Sequence, residues 1–142
     1  MIDTGMLRAS ILTLLYLAGG GAAAADTITC KSLDGQVTAD LDVPFTGDGD
    51  GGSAVAVRVG TPHFALSTEA KDHAERVAFS EVAYDRISVG LESPNSGSMT
   101  FTIDIVRTSH ARPGDGPDTG VVVAGFTRIA GFGTAIVTCQ GW

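Results

Sequence analysis

The chain has 142 residues, 44% hydrophobic and 18% charged, and its 9 Lys+Arg against 16 Asp+Glu give a formal net charge of −7. That length supports one domain with a buried core. The acidity excludes a general nucleic-acid binder, which needs a basic face for phosphates, and it opposes docking on anionic lipid.

The first 25 residues read as a secretory address. Ile11–Ala18 is an apolar run too short for a bilayer core, which takes about 20 residues. Small residues then lead to Ala23-Ala24-Ala25 before Asp26, the small-x-small pattern of a cleavage site. Cleavage after Ala25 leaves Asp26–Trp142 as the mature domain. Asp3 offsets Arg8, the one basic residue of this segment, so a start at Met6 gives a more regular n-region. Cys30 follows Thr27-Ile28-Thr29, which is not the leucine-and-small-residue pattern of a lipid-anchored cysteine. No membrane insertion is expected after signal removal, and the expected location is periplasmic or extracellular.

Along the mature chain, apolar residues recur with period 2, the signature of half-buried strands. The first strand carries Ile28 and Cys30. Val37, Ala39, Leu41 and Val43 alternate with Thr38, Asp40 and Asp42. Val55, Val57 and Val59 follow, then Phe64 and Leu66. Thr68–Glu75 reads as a helical turn or charged loop, with Lys71–Glu75 and Asp72–Arg76 at i,i+4 spacing. Arg76–Tyr84 reads as a strand, as do the runs Ile87-Val89-Leu91 and Met99-Phe101-Ile103-Ile105. Gly120–Ile129 is nearly continuously apolar, which predicts a strand more fully covered than the others. Thr134–Cys139 is the last strand, with Ala135, Val137 and Cys139 on the core side.

The separators agree. Asp34-Gly35 suits a tight hairpin, Gly47–Ser53 a loop, Ser93–Gly97 a turn, and Gly131–Gly133 the last connection. About eight or nine short strands so spaced predict an all-β, single-domain antiparallel sandwich or small barrel. In the oxidising compartment implied by export, Cys30 and Cys139 are expected to form one disulfide joining the first and last strands. Two cysteines exclude a cysteine zinc cage. No Cys-x-x-Cys redox motif is present.

Catalytic motifs are missing from the sequence. His63, His73 and His110 show no metal-pair spacing, and neither Gly-x-Ser-x-Gly nor a phosphate-binding glycine loop occurs. The long Pro/Gly loop around Ser109–Asp118 is the expected contact region, with His110, Arg112, Asp115 and Asp118 as candidate binding residues. Asp48 and Asp50 begin like a calcium loop, but Gly52 and Val59 replace the later ligands, which leaves a weak calcium candidate and no assigned metal. No cofactor is implied.

In size and architecture the chain resembles small exported bacterial envelope proteins, including proteinaceous enzyme inhibitors. The expected role is a non-enzymatic binding module of the bacterial envelope, with net −7 favouring a cationic protein partner. The alternatives are a small hydrolase pairing His110 with Asp115 or Asp118, and an inert structural component.

Overall fold

The computed structural model describes residues 26–44, 56–109 and 121–142. The expected signal segment 1–25 lies outside them. Nine strands make up the described residues, with no helix: β1 (Asp26–Ser32), β2 (Thr38–Val43), β3 (Ala56–Gly60), β4 (Ala65–Ser67), β5 (Arg76–Val82), β6 (Arg86–Glu92), β7 (Met99–Ser109), β8 (Val121–Ile129) and β9 (Gly133–Gln140). They form one sheet in the order β4-β3-β2-β1-β9-β8-β7-β6-β5, and every neighbouring pair is antiparallel.

This order requires curvature. β4 and β5 are consecutive in the chain yet occupy opposite edges of the sheet. A flat nine-stranded sheet is roughly 38 Å across at ordinary strand spacing. The connection 68–75 reaches about 30 Å when fully extended. The sheet therefore curls into a half-barrel that brings its edges together. Across that gap the Glu75 N–H donates to the Ser67 carbonyl at 3.0 Å. The two layers of the expected sandwich are thus the two wings of one continuous sheet.

The inner face carries the predicted alternation. Ile28 and Cys30 of β1, Ala39, Leu41 and Val43 of β2, Ile87, Val89 and Leu91 of β6, and Phe101, Ile103 and Ile105 of β7 belong to one buried cluster. Burying each large side chain contributes about 1.5–3 kcal/mol, and in this fold the wings bury one another's. The Asp34-Gly35 hairpin forms as expected. Ser32 N–H donates to the Val37 carbonyl at 2.9 Å, and Gly35 sits at φ +74°, where a side chain would be strained. Residues 68–75 form a loop, with no helical turn.

Cys30 lies directly opposite Cys139 in the β1–β9 register, and the two are bonded across a sequence separation of 109. The bridge joins the first and last strands, as expected, and is consistent with a non-cytoplasmic, oxidising compartment. It staples a short ladder. β1 and β9 stay in register from Thr29↔Gln140 to Ser32↔Val137, whereas β7 and β8 run from Phe101↔Ile129 to Ser109↔Val121.

One strand departs from expectation. In β8, Val123, Thr127 and Ile129 are buried, but Val122 and Phe126 are exposed. The continuous apolar run predicted fuller cover. Among the described residues no layer lies over the outer face, so the alternate side chains meet solvent.

Candidate functional site

The outer face of the sheet divides chemically. Over β1–β3 it is polar. Arg58 Nη2 lies 2.9 Å from Asp42 Oδ2, and its Nη1 lies 2.7 Å from Glu69 Oε2. Thr27 Oγ1 donates to Asp42 Oδ1 at 2.7 Å. The Thr27 hydrogen bond, with help from Arg58 and against the pull of burial, holds the Asp42 carboxyl below its ordinary value of 3.8. The same pair raises Arg58, with the Asp42 hydrogen bond the largest cause and Glu69 second. These bonds tie β1 to β2, β2 to β3 and β3 to the loop after β4. Each partly exposed ion pair contributes about 0–1 kcal/mol.

On β6 and β7 a second polar group forms. Ser88 Oγ donates to Asp104 Oδ1 at 2.6 Å, and Arg86 Nη2 lies 3.3 Å from the same oxygen. Among the described residues no imidazole joins this group.

Over β7–β9 the outer face becomes apolar. The register sets Asp104, Phe126 and Ile136 side by side across three strands, and Val106 beside Ala124 beside Thr138 in the next row. Phe126 is 55% exposed, Ile136 63%, Val122 50% and Val106 45%. Leu33, at the nearby β1–β2 hairpin, is exposed as well. It lines, with Phe132 and Ile136, an open groove of about 340 Å³ at the hairpin end. A second groove of about 310 Å³ is lined by Met99, Thr102, Arg128 and neighbours. Scattered apolar residues are ordinary on a surface, whereas these share one side of neighbouring strands.

The structure does not describe most of the sequence-predicted residues. His110, Arg112, Asp115 and Asp118 lie outside the described residues, as do the calcium candidates Asp48 and Asp50. His63 is exposed in the β3–β4 turn, where its N–H donates to Thr61 Oγ1 at 3.3 Å. His73 is exposed, sits at φ +57°, and its Nδ1 is 3.4 Å from Asn95 Nδ2. The structure does not bring these two histidines to a shared carboxylate. Among the described residues no group of three or more His, Cys, Asp or Glu side chains could hold a metal ion.

Inside the core, the Thr127 hydroxyl is fully buried and has no hydrogen-bond partner among the described residues. Its register neighbours are Ile103 and Ala135, which offer no polar side chain.

Compared with known proteins, the chain matches no family model, no curated sequence and no solved structure.

Sequence reasoning missed the apolar outer face because it assigned the surplus hydrophobicity of Gly120–Ile129 to burial. The available signal was parity. Val122, Ala124 and Phe126 share one side of β8, and Ile136 breaks the polar side of β9.

Proposed function

We propose that this protein is a non-enzymatic interaction module of the bacterial envelope, exported to the periplasm or beyond, that binds through the outer face of β7–β9. The observation carrying this reading is the exposed apolar set Val106, Val122, Phe126 and Ile136 on the outer side of three adjacent strands, with Phe126 and Ile136 register partners. An interface centre of this kind, apolar with an aromatic anchor and charged residues at its border, is how protein partners are held. The disulfide-stapled sheet supplies a rigid platform, which limits the entropy lost on binding.

The test is a capture experiment with the oxidised mature chain immobilised and exposed to envelope and secreted extracts. A partner retained near stoichiometrically by the wild type and lost by Phe126→Glu supports the reading. Retention of the same partner by Phe126→Glu overturns the placement on this face.

A further inference from the structure

We infer that the outer face of β7–β9 is the contact between two copies of this chain, packed about a two-fold axis. The inference rests on the reading of this face as an interaction surface and names its occupant.

The first argument is the placement of charge. Two molecules each carrying −7 repel at most approaches. Val121–Gln140, the span of β8 and β9, holds no acid and a single cation, Arg128. All 16 acids lie elsewhere in the sequence. This stretch brings no acid of its own to a contact between two copies, and the acid beside it is Asp104 of β7. The same stretch is where Phe126 and Ile136 stand exposed.

The second argument is complementarity. Asp104 is the register partner of Phe126, and Arg128 lies two residues further along β8 on the same outer side. The bonds from Ser88 and Arg86 both fall on Asp104 Oδ1. Arg128 makes no ion pair among the described residues. Each copy therefore offers, in Arg128, a cation with no ion pair among the described residues and, in Asp104, a carboxylate oxygen beside the same apolar centre. A two-fold contact uses one patch on both subunits, so residue i of one copy meets residue j of the other reciprocally. Arg128 of each copy then faces Asp104 of the other, with Phe126 and Ile136 stacked between.

Sedimentation velocity on the oxidised mature chain tests this, from about 1 µM to about 300 µM, a range that covers weak interfaces of standard size. The wild type is expected to pass from monomer to dimer. Phe126→Glu is expected to weaken dimerisation at least about 30-fold, as loss of a central anchor does. The charge variants give an independent arm. Arg128→Asp alone and Asp104→Arg alone each place like charges across the axis and are expected to be monomers. Mixed, the two variants restore opposite charges at both contacts and are expected to form a heterodimer. Circular dichroism checks that each variant is folded, and if Phe126→Glu does not fold, the mixing arm decides. A wild-type monomer across the whole range overturns self-association, as does a dimer that survives both Phe126→Glu and the single charge variants. If the wild type is monomeric while extract capture still depends on Phe126, only the identity of the occupant fails. If capture is also indifferent to Phe126, the interaction-surface reading fails with it.

Discussion

Replacing both bridging cysteines, as Cys30→Ala/Cys139→Ala, measures what the disulfide contributes. The bridge closes a loop with a sequence separation of 109. The chain-entropy relation for such a loop gives about 16 cal/mol/K, or about 4.8 kcal/mol at 25 °C, lost from the unfolded ensemble when the link is present. Unfolding entropy of roughly 2.1 cal/mol/K per residue over about 120 residues comes to about 0.25 kcal/mol/K. The expected fall in Tm is therefore about 20 °C. Both sulfurs are buried, so lost packing adds to this figure. The register between β1 and β9 ends at Ser32↔Val137, so few ladder bonds remain to hold the junction once the link is cut. Calorimetry of the double variant, beside the wild type with and without reductant, reads the shift directly. A fall of less than about 5 °C in both comparisons refutes the reasoning, since the junction would then hold through its core and ladder alone.

Three further outcomes follow from single positions. Gly125→Ala is expected to destabilise by about 3 kcal/mol or more in urea unfolding, because its new Cβ would fall 1.8 Å from the backbone oxygen of Asp104, which has no flexible end to move aside. Thr127→Val is expected to raise stability by about 1 kcal/mol, since it replaces a buried hydroxyl with no partner among the described residues by a methyl of the same shape; a loss above that size would show that the hydroxyl is satisfied in solution. The Asp42 carboxyl is depressed in the folded state, so the stability it contributes is present above its ordinary value of 3.8 and is lost as pH falls below that value toward the folded-state one. Asp42→Asn should remove part of the acid-induced drop in Tm below about pH 4 and leave the remaining groups' share.

Much of the fold is legible in the chain because one physical rule dominates it. Ala39-Leu41-Val43, Ile87-Val89-Leu91 and Phe101-Ile103-Ile105 alternate cleanly, and each lies on the inner face. The bridge followed from parity as well as from compartment, since Ile28 and Cys30 share a side, as do Val137 and Cys139. The strand order was not legible. It depends on Thr29–Ser32 meeting Val137–Gln140, a pairing between distant segments that no local pattern encodes. The candidate surface was hidden for a related reason. An apolar side chain on β8 reads the same whether it is buried against a second layer or left for a partner, and Phe126 and Ile136 are of the second kind.

The sheet order also bears on how the chain reaches this state. Every neighbouring pair except β1–β9 is also adjacent in sequence, so β1–β4 and β5–β9 are two meanders built from local contacts. Each can form with small loop-closure cost, and the long-range closure falls to one junction. β9 ends where β1 begins, and Gly141 rests against the Thr27 carbonyl. A circular permutant that links Trp142 to Asp26 and opens between Thr68 and Glu75 would make all eight pairings sequential. Such a chain would have lower contact order and should fold faster, with its Cys30–Cys139 link closing a short hairpin in place of nearly the whole domain.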